Sequence, residues 1–296
     1  MKNVWNDSTI GNLKGKIVVI TGATSGIGKA AALVMATKQA EVVIAVRNVS
    51  KGEQVVAEAK KANPEAKISV RKLDLSDLKS VTACAEGLKK DYQRIDVLIN
   101  NAGVMMCPLS RTAEGFEMQF GTNHLGHFAF TGNLLPLLGK GSRVVVVSSL
   151  VHRRGRLDLG DLNWEKRKYD PSKAYFDSKL ANLYFTYELA KKLEAKGVRV
   201  TAAHPGWTAT DLQKHTPTFK FLNKFFGQGP QDGALPTLRA AFDDDAKSGD
   251  YFGPSRHFEM HGNPIKVQSN KLSHDVGIGR ALWERSESLT GVHYPS

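Results

Sequence analysis

The fold of this chain is decided by residues 21–28, TGATSGIG, which follow the apolar run IVVI at residues 17–20. A short β-branched run that ends in a glycine-rich turn predicts a buried strand, and the pattern of residues 29–38 predicts a helix directly after the turn. Glycines leave room for a backbone to approach a pyrophosphate, and the N-terminus of the helix offers unpaired N–H groups to that anion. The stretch therefore predicts a phosphate cradle, with a tight turn that binds no ligand as the alternative.

Short apolar runs alternate with helical patterns beyond this first turn. Strands are predicted at residues 17–21, 41–46, 67–73, 97–100, 143–148 and 198–204. A strand that is buried on both faces has a nearly continuous sequence of Val, Ile and Leu. The alternation of such strands with helices predicts a parallel sheet. We therefore expect an α/β protein of the Rossmann type, with a doubly wound parallel sheet and helices on both faces.

One domain is expected over residues 1–296, because no long linker, repeat or low-complexity segment interrupts the pattern. Residues 208–255 are predicted to be less regular, since Pro and Gly break the segment. The C-terminal extension, residues 256–296, is also predicted to be less regular, apart from a short helix at residues 276–287.

Composition and charge limit the classes of function. The 296 residues are 41% apolar, enough for a substantial core, and no apolar run reaches the length that spans a membrane. The two cysteines, Cys84 and Cys107, are too few for a disulfide scaffold, so we expect reduced thiols and a cytoplasmic protein. The net charge is +12, but the basic residues are dispersed without a nucleic-acid recognition element, so no nucleic-acid partner is expected.

A tyrosine and a lysine suited to proton transfer lie past the middle of the chain. Tyr175 and Lys179 are one helical turn apart, so their side chains share one helix face. An ammonium beside a phenol lowers the pKa of that phenol and makes it a better proton donor to a carbonyl oxygen. Ser148 and Ser149 end a predicted strand, where a hydroxyl can bond the substrate carbonyl. Without the glycine turn upstream, an ordinary exposed Tyr and Lys would be the simpler interpretation.

Taken in order, these motifs resemble those of the short-chain dehydrogenase/reductase family over about residues 15–212. The matching positions are Thr21 to Gly28, Asp74, Leu75, Asn100, Asn101, Ala102, Gly103, Asn123, Ser149, Tyr175, Lys179, Pro205, Gly206 and Thr210. Residues 174–182, AYFDSKLAN, and residues 204–206, HPG, are most similar to the retinol-dehydrogenase-like branch.

The resemblance implies a catalytic set of Ser149, Tyr175, Lys179 and Asn123. Ser149 would orient the substrate carbonyl, whereas Ser148 would cap or pack. Asn123 would hold a water that links Lys179 to bulk solvent in a proton relay. The resemblance also implies a homo-oligomer, a dimer or tetramer, that pairs through the helices carrying Asn123 and Tyr175.

The end of the second predicted strand bears on the choice of cofactor. A carboxylate there would bond the ribose 2′-hydroxyl and repel a 2′-phosphate, but the position carries Arg47 with no acidic neighbour. Because the resemblance places this residue beside the adenosine ribose, we predict NADP(H), with an ordinary surface arginine as the alternative. The predicted cofactor-binding residues are Gly22, Thr24, Ser25, Gly26, Ile27, Gly28, Arg47, Asp74, Leu75, Asn101, Ala102, Gly103, Tyr175, Lys179, Pro205, Gly206, Thr208 and Thr210.

Apolar residues on both sides of the predicted site favour a lipophilic substrate. Residues 207–226 are rich in aromatic side chains, and in the resembled family this region closes over the substrate as a lid. Residues 104–106, VMM, would line the opposite wall with adaptable side chains. The predicted substrate-binding residues are Ser149, Val151, Met105, Trp207 and Phe221. The alternative is that the aromatic residues only pack the segment onto the domain.

No metal site is predicted, because His124 and His127 lack a third ligand at a useful spacing. The sequence therefore favours an NADP(H)-dependent oxidoreductase that interconverts a carbonyl and an alcohol. The alternative is an NADP(H)-binding redox sensor without turnover, and the presence of all four catalytic residues argues against it.

Overall fold

One sheet organises the molecule. The computed structural model describes residues 5–208 and 228–295 of the chain. The strands are β1 Ile17–Thr21, β2 Glu41–Val46, β3 Ile68–Lys72, β4 Val97–Asn100, β5 Arg143–Val147, β6 Arg199–Ala203, β7 Tyr251–Arg256 and β8 His261–Val267. They form an eight-stranded sheet in the order β3-β2-β1-β4-β5-β6-β7-β8. All neighbours pair in parallel except β7 and β8, which are antiparallel. The predicted doubly wound Rossmann-type fold is confirmed, with an antiparallel edge strand added.

Helices cover both faces of this sheet. They are α1 Gly26–Thr37, α2 Val49–Ala62, α3 Leu78–Asp91, α5 Pro171–Lys192, α6 Pro230–Phe242 and α7 Val276–Thr290, while α4 has three consecutive segments, Met118–Phe120, Gly121–Leu125 and Gly126–Asn133. The middle segment of α4 is a wide π turn. Side-chain caps from Asn48, Asp77 and Asp170 satisfy the first N–H groups of α2, α3 and α5.

Alternation along each strand divides the core into two layers. In β1, Val18 and Ile20 pack on the side of the sheet that α1 and α6 cover, whereas Val19 packs on the side of α3 and α4. All three side chains are fully buried. A strand buried on both faces needs apolar residues at consecutive positions, which explains why the run at residues 17–20 has no polar alternation.

The site position follows from the strand order. Strands β1 and β4 are neighbours, and the chain leaves β1 toward β2 on one side and continues from β4 toward β5 on the other. At such a switch point the loops beyond the carboxyl ends of the strands diverge and leave a crevice. The glycine turn after β1 and the turn after β4 therefore meet at this crevice.

The C-terminal extension is more regular than the sequence predicted. Strand β8 and the whole of α7 lie in residues 256–296, and the predicted helix at residues 276–287 forms most of α7. The sequence pattern missed β8 because its outward positions are polar and it contains Pro264, which edge strands tolerate.

Aromatic residues of the extension pack against α4 and α5. The ring centroid of Trp283 lies 5.0 Å from that of Phe128 and 5.9 Å from that of Phe185. Tyr294 packs on Phe128 at 4.9 Å, and its hydroxyl donates a hydrogen bond of 2.7 Å to the Phe128 carbonyl. The extension is thus part of the core.

The helices that carry Asn123 and Tyr175 are largely buried within the single chain. Every residue of α4 from 119 to 131 is buried, and so is every residue of α5 from 174 to 186 except Phe176, which lines the cavity described below. These stretches expose little surface to a second copy. The implied pairing through these two helices stays a prediction.

Candidate active site

A cavity of about 760 Å³ opens at the carboxyl ends of the parallel strands. It is lined by every predicted cofactor-binding residue except Thr210, and by Ser149, Val151, Met105 and Trp207 of the predicted substrate residues. Thr210 and Phe221 lie outside the described residues, as do residues 209–227 of the predicted lid region, residues 208–255. The structure thus brings residues from widely separated turns into one continuous site, whereas their roles stay predictions.

The glycine turn is shaped by its packing as well as by any ligand. Gly22 has a φ of +70°, and a Cβ there would lie 2.7 Å from the Cα of Ala102 in the turn after β4. A Cβ at Gly28 would collide with the Asn101 side-chain amide and with the Gly22 carbonyl. Only glycine fits these two positions, because the turns after β1 and β4 touch each other.

The first turn of α1 is open to the cavity. Its N-cap residue, Ser25, makes no side-chain hydrogen bond to the helix, unlike the caps of α2, α3 and α5. Thr24, Ser25, Gly26 and Ile27 all line the cavity. Uncapped N–H groups and the helix dipole at this point suit a phosphate anion.

A buried hydrogen-bond chain joins this turn to α4. The Thr21 hydroxyl oxygen accepts the N–H groups of Asn101 and Ala102, each at 2.9 Å, and lies 2.8 Å from Nε2 of His127. Because Thr21 already accepts twice, its proton goes to Nε2, and the other ring nitrogen of His127 donates to the Asn123 carbonyl at 3.0 Å. Burial lowers the pKa of His127 to about 4, so the ring is neutral. No pattern in the sequence indicates this contact of His127.

Tyr175 and Lys179 lie side by side on α5, as their spacing predicted. Lys179 Nζ is 5.7 Å from the Tyr175 ring centroid and donates to the Val147 carbonyl at 3.2 Å. Burial lowers the pKa of Lys179 to about 8. Burial also raises the pKa of Tyr175, while a hydrogen bond with Ser149 acts in the opposite direction. The expected lowering of the Tyr175 pKa by Lys179 is not seen, because desolvation dominates at this buried phenol.

The two serines at the end of β5 have different partners. Ser149 and Tyr175 both line the cavity, and the Ser149 hydroxyl lies close enough to Tyr175 to act on its pKa. Ser148 donates to the Lys179 carbonyl at 2.7 Å and thereby fixes α5 to β5. Asn182, which the sequence analysis did not single out, also ties α5 to β5 by donating to the Val147 carbonyl at 3.1 Å. A hydroxyl that fixes α5 to β5 is thus followed in the chain by one that is predicted to act on the substrate.

Asn123 is fully buried and does not line the cavity. Its Oδ1 accepts the Val104 N–H at 2.8 Å, and its Nδ2 donates to the Val104 carbonyl and to the Ser178 hydroxyl, both at 3.0 Å. The residue lies in the π turn of α4. Its side chain joins the turn after β4 to the catalytic helix, and the implied water relay stays a prediction.

Two cations line the cavity beside the end of β2. Arg47, at the end of β2, and Lys51, on the first turns of α2, both line it, and neither makes an ion pair with any residue in the described ranges. The carboxylate of Asp74 also lines the cavity. Its Oδ1 already accepts hydrogen bonds from the Ser76 N–H and hydroxyl, at 3.0 and 2.6 Å. Lys51 was missed, although its position one helical turn after Arg47 could have indicated it.

A group of apolar side chains also lines the cavity. Met105, Met106, Val151 and Trp207 line it together with Met260 from the turn between β7 and β8, and the basic side chains Arg153 and Arg154 line it as well. The Met260 carbonyl accepts the Trp207 N–H at 2.7 Å. No local pattern in the sequence indicates Met260, because only the tertiary fold brings the β7–β8 turn to the site.

An ionic network supports this turn. Arg153 donates to Glu259 at 2.7 Å, and the other carboxylate oxygen of Glu259 lies 3.0 Å from Nε2 of His204. Nδ1 of His204 accepts the Gly206 N–H at 3.2 Å, so the proton of the ring is on Nε2. The basic run after Ser149 and the HPG motif are thereby joined to the β7–β8 turn.

No group of three potential metal ligands comes together in residues 5–208 and 228–295. His124 instead donates to the Ser286 hydroxyl of α7 at 2.9 Å, since that hydroxyl gives its own proton to the Leu282 carbonyl. In the same ranges, no helix is both long and apolar enough to cross a membrane.

Comparison with known proteins identifies the family. A family model described as short chain dehydrogenase matches residues 16–220. Human retinol dehydrogenase 11 is 42% identical over 287 residues, which cover 95% of this chain and 87% of that protein. The chain belongs to the short-chain dehydrogenase family. Mouse retinol dehydrogenase 12 is 44% identical over 289 residues, covering 95% of this chain and 88% of that protein, so the resemblance to the retinol-dehydrogenase-like branch is confirmed.

Solved structures with similar folds support the same family. An uncharacterized protein from Mycobacterium paratuberculosis has a TM-score of 0.85 and 41% identity, covering 99% of this chain and 100% of that one. A protein described as a short chain dehydrogenase from Shigella flexneri 2a, complexed with NADP, has a TM-score of 0.65 and 27% identity over 81% of this chain and 97% of its own. The chain is an oxidoreductase of a family that uses NAD(H) or NADP(H).

Proposed function

We propose that this protein is an NADP(H)-dependent oxidoreductase that interconverts a lipophilic aldehyde or ketone and the corresponding alcohol. The proposal depends mainly on one observation: Ser149, Tyr175 and Lys179 line the same cavity as the open α1 terminus, the apolar side chains and two cations that make no ion pair within the described residues. A dinucleotide and an apolar substrate would meet at the two hydroxyls.

The residues fit a bound nicotinamide dinucleotide. The first turn of α1 would hold the pyrophosphate, and Lys179 would bond the nicotinamide ribose. When bound, the reduced cofactor supplies a hydride to the carbonyl carbon. Side chains of the protein orient the substrate, donate the proton and stabilise the developing charge.

Those side chains stabilise charge that develops on the substrate oxygen. Ser149 donates a hydrogen bond that orients the carbonyl, and Tyr175 donates the proton that converts the developing alkoxide into an alcohol. Lys179 is buried, so its ammonium acts through a weakly screened field on the phenolate that forms. In the direction of alcohol oxidation, the same groups accept the proton.

NADP(H) is favoured over NAD(H) by Arg47 and Lys51. A 2′-phosphate at the end of β2 would meet two cations that make no ion pair within the described residues, whereas a ribose 2′-hydroxyl would find no carboxylate at residues 45–48 to bond. The NADP complex of the Shigella protein is consistent with this choice.

The experiment is a screen of NADPH oxidation over straight-chain aldehydes and ketones of increasing length. All-trans-retinal belongs in it, because the relatives are named retinol dehydrogenases. We expect turnover that increases with chain length, since each buried methylene contributes about 0.8 kcal/mol. Tyr175→Phe should lower kcat by about 10²–10⁴-fold with little change in NADPH binding. Binding of NADPH without turnover of any carbonyl would instead favour the redox sensor, and a flat chain-length profile would exclude a lipophilic substrate.

A further inference from the structure

The apolar wall of the cavity contains a bend that its own residue does not favour. Met106 lines the cavity and has a φ of +49°, in the left-handed region that side chains with a Cβ rarely adopt. A residue stays in that region only where its surroundings hold it. The contacts that hold Met106 therefore also determine where this part of the wall lies.

Gln119, at the start of α4, makes the first of these contacts. Its Oε1 accepts the Met106 N–H at 2.7 Å. Its Nε2 donates to the Tyr169 hydroxyl and to the Pro171 carbonyl, both at 2.9 Å. The side chain is fully buried, so no water replaces these partners. One amide thus connects the wall to the segment that leads into the catalytic helix α5.

Tyr169 and Glu117 complete the network. The Tyr169 hydroxyl lies 2.9 Å from Oε1 of Glu117 and 3.2 Å from the Cys107 carbonyl, next to the bend. Glu117 is fully buried and also accepts the N–H groups of Gln119 and Phe120 at 3.0 and 2.7 Å. Glu117, Gln119 and Tyr169 do not line the cavity, so they act on it only through the bend.

We propose that Gln119 and Tyr169 are positioning residues that hold Met106 in the substrate wall and so set how well the enzyme accepts long carbonyl substrates. The proposal rests on the proposed function. If the hydrogen bonds to the bend are lost, residues 105–107 can relax toward ordinary backbone angles and carry the Met106 side chain with them. A short substrate that reaches only Ser149 and Tyr175 does not depend on this wall, whereas a long one does.

The test compares Tyr169→Phe and Gln119→Met with wild type. Tyr187→Phe is the matched control, because its hydroxyl bonds Ser269 at 2.7 Å and the residue does not line the active-site cavity. For decanal we expect KM to rise by about 2- to 10-fold in the two variants, the scale of one lost hydrogen bond. For propanal we expect kcat/KM within about twofold of wild type, with NADPH binding unchanged. Equal losses for both aldehydes would overturn the proposal, because a purely structural role lowers activity without regard to substrate length.

Hydrogen exchange gives a readout that does not depend on turnover. Peptides covering residues 103–108 should exchange faster in both variants than in wild type or Tyr187→Phe, while peptides from α5 keep their protection. Unchanged exchange at residues 103–108 would overturn the positioning role even if the enzyme reduced no aldehyde at all. Faster exchange in a protein that reduces no carbonyl would instead contradict only the proposed function.

Discussion

Asn123 contributes to the site from behind the cavity wall. Its amide holds Val104 on one side and Ser178 on the other, and its carbonyl accepts from His127. The π turn in which it lies gives α4 room for these contacts. A single polar side chain thereby sets the distance between the turn after β4 and the catalytic helix.

At the residue scale, we expect Arg47 to favour NADPH over NADH. A hydrogen bond to a charged group is worth about 1.5–3 kcal/mol, so Arg47→Ala should weaken NADPH binding by about 10- to 100-fold and NADH binding much less. Calorimetric titration of both cofactors measures the difference. Arg94→Ala is the control, because Arg94 pairs with Asp96 and does not line the cavity. Equal losses of NADPH and NADH affinity would exclude recognition of the 2′-phosphate.

Lys179 predicts how activity depends on pH. Burial lowers its pKa from 10.5 to about 8, and the ammonium form that assists Tyr175 exists below that pH. For carbonyl reduction, kcat/KM should therefore fall as the pH rises through about 8. Folding lowers this pKa, so the unfolded chain binds more protons between about 8 and 10.5, and the contribution of Lys179 to stability increases with pH across that window. A kcat/KM profile that stays level up to pH 10.5 would contradict this assignment.

At the scale of elements, the strand, turn and helix around residues 21–28 act as one unit. Gly22→Ala places a Cβ 2.7 Å from Ala102 at a φ of +70°, whereas Gly15→Ala has a φ of +81° and no atom within 4 Å of its Cβ. Both variants strain the backbone, but only the first overpacks the contact between two turns. We expect Gly22→Ala to lower the free energy of unfolding by about 1–3 kcal/mol more than Gly15→Ala. Urea unfolding measures the free energy of unfolding of both variants. Equal losses of this free energy would mean that the two turns can move apart without any loss of stability.

At the scale of the whole molecule, the C-terminal extension covers parts of α4 and α5. Trp283 is 5% exposed and Tyr294 is 7% exposed, both packed on these helices. Because residues 119–131 and most of residues 174–186 are buried within the single chain, we expect a monomer of about 32.4 kDa by light scattering at micromolar concentration, in place of the oligomer that the resemblance implies. A mass of twice that value would contradict the prediction.

The sequence by itself determined the parallel sheet and the position of the glycine turn. It also determined the pair of Tyr175 and Lys179. These three features depend on short-range patterns, namely apolar runs, turn residues and the spacing of one helical turn. The family followed from the order of those motifs. Strand ends differed by about one residue at β3, β5 and β6, since strand termini fray into loops of similar composition.

Only the tertiary structure decided the contacts between residues far apart in sequence. Met260 reaches the substrate wall because β7 pairs with β6 and turns back, and His127 bonds Thr21 because α4 crosses the sheet beside β1. The burial of Tyr175 raises its pKa despite the nearby ammonium, and the extension covers the helices that the family resemblance assigned to pairing. Desolvation and packing depend on all neighbours of a residue at once, so no local pattern in the sequence predicts them.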